Sequence, residues 1–196
     1  MEVPILSRKL RPINGATAES IESDSLTLRA GSRTDWFRDP AGEVVVHNAP
    51  ALVIPATGTW MLRARTSASL EATFDAAVLA IYIDERTWAK LCLELSPQGE
   101  ATVVSVVTRS ESDDCNSNPI PGNEVWLRIS CLGRVFAFHY SLDGTTWSMV
   151  RLFTLGDHDK VEVGFLSQSP TGDGCLATFR DVALTNELLS DARSGA

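Results

Sequence analysis

The stretch Glu124–Phe153 constrains the fold most, because it reads as three β-strands in succession. Val125, Leu127, Ile129 and Cys131 alternate with Trp126, Arg128 and Ser130, the period of two expected of a strand with one buried face. Gly133 interrupts the run, after which Phe136, Phe138 and Tyr140 alternate with Ala137 and His139. Asp143-Gly144 then turns the chain towards Trp147, and an Asp-Gly pair between alternating runs is a strong hairpin signal.

The chain on either side continues in the same manner. Short strands are expected at Val3–Leu6, Ser25–Arg29, Val44–Val46, Leu52–Ile54, Thr59–Arg65, Leu79–Ile83, Trp88–Leu95, Ala101–Arg109, Lys160–Ser167 and Cys175–Leu184. Pro50 and Pro55 mark the runs at 44–54 as edge-like or bulged. Ser110–Asn123 is the longest polar loop, and Gly31–Thr34 leads into a further loop, DWFRDPAG. The pattern predicts an all-β, two-sheet antiparallel sandwich or barrel with very little helix. One domain spans residues 1–185, followed by a tail, 186–196, expected to form a helical turn or to be disordered.

Composition narrows the function classes. The net charge of -8 argues against nucleic acid or an anionic membrane as partner, since both need basic patches. No apolar run approaches the roughly 20 residues that span a bilayer, and residues 1–10 lack the pattern of a signal peptide, so a cytoplasmic protein is expected. Cys92, Cys115, Cys131 and Cys175 are widely spaced and are read as free thiols rather than zinc ligands. No cofactor is expected.

The ordered set DWFR at 35–38, IDERTWAKLCLE at 83–94, VVTRS at 106–110, VWLRI at 125–129, FHYSLDGTTW at 138–147 and VGFLSQSPTGDG at 163–174 resembles the regulation-of-enolase type of domain of unknown function, DUF1349. That family is similar to the concanavalin A-like lectin/glucanase superfamily. The resemblance spans residues 20–185 and implies a jelly roll whose concave sheet often carries a carbohydrate site. It implies a fold and a ligand class rather than a reaction.

Alternation places Trp88, Lys90, Cys92 and Glu94 on one face of their strand and Ala89, Leu91, Leu93 and Leu95 on the other. A row of Trp, Lys and Glu suits a sugar: the ring stacks on a pyranose and the charged groups hydrogen-bond its hydroxyls. Arg109, with Val103, Ser105 and Val107, is expected to extend that face, His139 to open onto it, and Arg38 to fold over its edge. Trp126 and Trp147 are read as structural anchors.

Catalytic patterns fit poorly. A retaining glucanase pair needs alternating acids on one strand, whereas Asp84 and Glu85 are adjacent and point to opposite faces. Asp114, Asn116 and Asn118 match the start of a calcium loop and Asp113 lies beside them, but Pro119 stands where glycine is required. Asx turns account for these residues, and no metal is expected. Three readings remain: a non-catalytic module binding a saccharide or similar polar small molecule, a regulatory domain with a cytosolic protein partner, and a carbohydrate-active enzyme of another mechanism.

Overall fold

A computed structural model describes residues 5–196. Among the described residues, sixteen strands make two seven-stranded antiparallel sheets and one small hairpin. In chain order they are β1 (Arg11–Ile13), β2 (Ala18–Ile21), β3 (Leu26–Gly31), β4 (Trp36–Arg38), β5 (Val45–His47), β6 (Ala51–Ala56), β7 (Trp60–Ala68) and β8 (Ala76–Asp84). They continue as β9 (Thr87–Leu95), β10 (Ala101–Arg109), β11 (Glu111–Pro119), β12 (Glu124–Cys131), β13 (Phe136–Ser141), β14 (Ser148–Phe153), β15 (Val161–Gln168) and β16 (Gly174–Thr185). Sheet A runs β1-β6-β15-β8-β9-β10-β11, and sheet B runs β14-β13-β12-β7-β16-β3-β2.

The main core fills the space between the sheets. Sheet A contributes Leu79, Ile81, Ala89, Leu91, Leu93, Val103, Val107 and Phe165, and sheet B contributes Leu28, Leu62, Leu127, Ile129, Phe138 and Phe179, all buried in one cluster. Ala89, Leu91, Leu93, Leu127 and Ile129 face inward as their alternation predicts, Val103 and Val107 do so against the expectation that they open outward with Arg109, and Cys131 packs among them as a small hydrophobe. Gly164 is required by close packing: a Cβ there would lie 2.0 Å from the Leu52 carbonyl oxygen.

At one edge the two sheets are tied by side chains. Arg151 of β14 donates to the Asp113 carbonyl and carboxylate of β11, each at 2.8 Å, and Asn118 donates to the Tyr140 hydroxyl at 2.7 Å.

Several expectations are corrected. Of the strand expected at Val3–Leu6, Val3 and Pro4 lie outside the described residues, and Ile5–Ser7 is a single 3-10 turn. The polar stretch after Arg109 is not a loop: Ser110 takes a positive φ of 71° and folds β11 back along β10, with Arg109 opposite Glu111. β11 reads as polar because it is an edge strand with exposed side chains. β6 is not an edge but lies between β1 and β15; Pro55 is tolerated because β1 pairs only as far as Val53.

The Asp143-Gly144 turn is built by the Asp143 side chain, which accepts from the Thr145 and Thr146 amides at 2.7 Å. Those bonds hold its carboxyl well below the usual range. Only Gly144 has positive φ in that turn, and a Cβ on it would meet the Trp126 ring at 2.8 Å. The tail is ordered and turns back over sheet B.

Candidate functional site

The outer face of sheet A carries the candidate site, and it is partly covered. Registers place Trp88, Lys90, Cys92 and Glu94 of β9 beside Tyr82, Ala80, Val78 and Ala76 of β8, and beside Thr108, Val106, Val104 and Thr102 of β10. Above this face lies the β4–β5 hairpin, and together they form a second, smaller core. Trp36 packs 5.8 Å from Trp88 and stacks on His47 at 4.5 Å. The Trp36 Nε1 donates to the Ala49 carbonyl at 3.0 Å, which ties the lid to the segment leading into β6.

Trp88 is therefore fully buried and offers no platform for a sugar ring. The expectation that it stacks a ligand is corrected: the ring that covers it comes from Trp36, in a stretch expected to be a loop.

Lys90 is also enclosed, 2% exposed, and its ammonium donates to Asp35 Oδ1 at 3.0 Å and to Gln168 Oε1 at 2.9 Å. Burial alone would lower its pKa, but Asp35, Cys92 and Glu94 reverse the direction and raise it. The ion pair joins the start of the lid to the middle of the sheet. Asp35 and Gln168 are the residues that sequence reasoning missed here. A lysine inside an apolar strand needs a carboxylate close by, but nothing in the linear order says which one.

Glu94 lies four residues beyond Lys90 on the same face, 8% exposed, with no side-chain hydrogen bond. Burial pushes its carboxyl up to about 8, opposed by Lys90 and reinforced by Asp35 and Asp114. At neutral pH it is a neutral acid, able to donate and to accept. Asp114 of β11 shares this face, since it pairs with Val106, which pairs with Lys90. Protein crowding raises its pKa too, with Lys90 opposing and Asp35 and Asp113 adding to the shift.

Between the lid and β11 opens a cleft of about 530 Å³ lined by Phe37, Pro40, Ser112, Asp113 and Asp114. Arg38 frames it: its backbone amide donates to Ser112 Oγ at 3.0 Å and its guanidinium to the Ser110 carbonyl at 2.6 Å. Arg38 thus sits at the edge of this face, as expected, though on a strand rather than a loop.

Arg109 and His139 are not part of it. Arg109 pairs with Thr87 and shares its side of the sheet with Val107 and Val103, which pack into the main core. Its guanidinium leaves that side at the rim, donating to the Thr154 carbonyl at 3.1 Å. The expected placement is corrected because β10 registers with β9 so that Thr108, not Arg109, lies beside Trp88. His139 belongs to sheet B, on its outer face, completely buried beneath the tail.

The calcium-like sequence lies on β11, where Asp113 and Asp114 point to opposite sides and Asp113 is bound to Arg151. Among the described residues no group of three or more His, Cys, Asp or Glu side chains is placed to hold a metal ion. No helix among them is long and apolar enough to cross a membrane.

Known proteins share this architecture. A Saccharomyces cerevisiae protein, "Regulation of enolase protein 1", is 28% identical over 169 residues, covering 85% of this chain and 84% of the yeast protein. A crystal structure of a functionally unknown protein from the same yeast superposes with a TM-score of 0.85 at 26% identity, covering 93% of this chain and 98% of that one. The GH43 protein BlXynB of Bacillus licheniformis superposes at TM-score 0.67 and 14% identity, with 86% of this chain matching 38% of that one. The last likeness is one of fold. The model of the family described as "Protein of unknown function (DUF1349)" matches residues 13–187, and the chain belongs to that family.

Proposed function

We propose that the chain is a non-catalytic binding domain whose cleft between the β4–β5 lid and β11 holds a hydroxyl-rich small molecule such as a short saccharide. The observation that carries this reading is the open cleft of about 530 Å³ between the lid and β11. Asp114 and Ser112 on the wall, with Phe37 and Pro40 opposite, supply the mix of polar anchors and apolar surface that binding clefts use. Sandwich neighbours include a xylan β-1,4-xylosidase of Bacillus halodurans, at TM-score 0.61 and 15% identity, which suggests pentose oligomers as first probes.

A ligand that binds only the folded state raises the melting temperature by mass action. Thermal denaturation with xylotetraose, arabinose and glucose, on wild type and on Asp114→Ala, tests the reading. Asp114 is on an edge strand and exposed, so its replacement leaves the core untouched. A shift in wild type that is lost in the variant is expected; an equal shift in both, or none with any sugar, would overturn it.

The name of the yeast relative favours a second reading, regulation through a protein partner. The exposed edge strand β11 is where such a partner would add a strand.

A further inference from the structure

The outer face of sheet B holds a cluster of unsatisfied polar groups, unconnected with the cleft. Registers set Arg128 of β12 between Arg63 of β7 and His139 of β13, with Ser130 next along on the same face. Two arginines directly opposite each other repel. Elsewhere on this face the charges are compensated: Arg65 lies 3.5 Å from Glu124 and 3.3 Å from Asp181, and Arg180 lies 3.6 Å from Glu124. Arg63 and Arg128 form no ion pair among the described residues. Each rests instead on an indole, Arg63 6.0 Å from the Trp126 ring and Arg128 4.1 Å from that of Trp147.

Arg128 is nonetheless 6% exposed, so an uncompensated guanidinium is buried. Burial, with Arg63 adding to it, lowers its pKa to about 10.

What covers the cluster is the tail. Arg128 Nη2 donates to the Gly195 carbonyl at 2.7 Å, and His139 Nε2 is 2.7 Å from the Ala192 carbonyl. The fit is specific to glycine: Gly195 has a φ of +75°, and a Cβ there would meet Trp147 at 2.7 Å and Arg128 at 3.0 Å. Yet the tail leaves Arg128 Nε, Ser130 Oγ and His139 Nδ1 buried with no hydrogen-bond partner. Two neutral carbonyl oxygens are all that the tail sets against the Arg128 fork and His139, so it supplies too few acceptors for the polar groups it covers.

We propose that Arg63, Arg128, Ser130 and His139 form a binding site for the oxyanion of a small phosphate- or carboxylate-bearing molecule, and that residues 191–196 cover it as a displaceable plug. An oxyanion offers several acceptor oxygens to the Arg128 fork and to the Ser130 hydroxyl, and its charge compensates the facing arginines. The site is locally basic on a chain whose net charge is -8, so long-range attraction is weak and the ligand is held by contact.

The test uses Gly195→Val, which dislodges the tail while keeping it in the chain, and a chain ending at residue 190. Isothermal titration calorimetry with inorganic phosphate and with malonate separates the two sources of the oxyanion. Both variants are expected to bind one of these anions at least tenfold more tightly than wild type. Adding Arg63→Gln, a change at an exposed side chain, is expected to remove most of that gain. Folded, tail-displaced protein that binds neither anion, or binding indifferent to Arg63→Gln, would overturn the proposal.

Discussion

The ammonium of Lys90 lies 3.0 Å from the carboxylate of Asp35, an ion pair whose lysine is buried between the lid and sheet A. The pair joins residues far apart in sequence and fixes the lid over the face where the candidate cleft opens. Removing one member of a buried pair costs about 3–5 kcal/mol, because the remaining charge is left without compensation. Asp35→Ala is expected to destabilise the chain by about that amount in urea denaturation, since the lysine it strands is the deeply buried partner. Lys90→Met should cost less, because the Asp35 side chain remains 18% exposed and can be hydrated. Adding Lys90→Met to Asp35→Ala should recover part of the loss; strictly additive losses would show that the pair is not energetically coupled.

Trp88→Ala tests whether the indole is a ligand platform or part of a core. With Trp88 fully buried against Trp36, the substitution should lower stability by about 3–5 kcal/mol, as large-to-small changes of buried aromatics do. Chemical denaturation reads this directly. A near-neutral effect would mean that the lid does not pack there in solution.

Glu94 predicts a pH dependence with a definite sign. Its carboxyl is raised from 4.5 to about 8 in the folded chain, so between those values the unfolded chain is ionised and the folded one protonated. The folded state then binds more protons, and stability falls as pH rises, by up to about 1.4 kcal/mol per unit. The loss begins above the unfolded value and levels off once pH passes about 8. Glu94→Gln should flatten the wild-type decline in melting temperature between pH 5 and pH 8, roughly the interval between the two pKa values. Parallel curves for the two proteins would place the carboxyl in water.

Most of the fold was legible because alternation marks which residues face the main core. From Val125 to Tyr140 the period of two needed no tertiary information. The lid was not legible. β4 and β5 have three residues each, too few for periodicity, and Trp36 and His47 gain their meaning only from Trp88 beneath them. A signal for it was present all the same. Ala76–Ile81 and Thr102–Val107 run nearly unbroken in apolar residues, and strands apolar on both sides are covered on both sides. His139 was misplaced for a different reason: alternation assigns a residue to a face of its own sheet and does not say which sheet that is.

Locating the ligand on the surface tests the central claim most directly. Backbone amide spectra of the labelled chain, titrated with xylotetraose and arabinose, should show shifts confined to Phe37–Asp39 and Ser112–Asn116. Shifts clustered elsewhere, or unchanged spectra at millimolar sugar, would contradict a saccharide site in the cleft between the lid and β11.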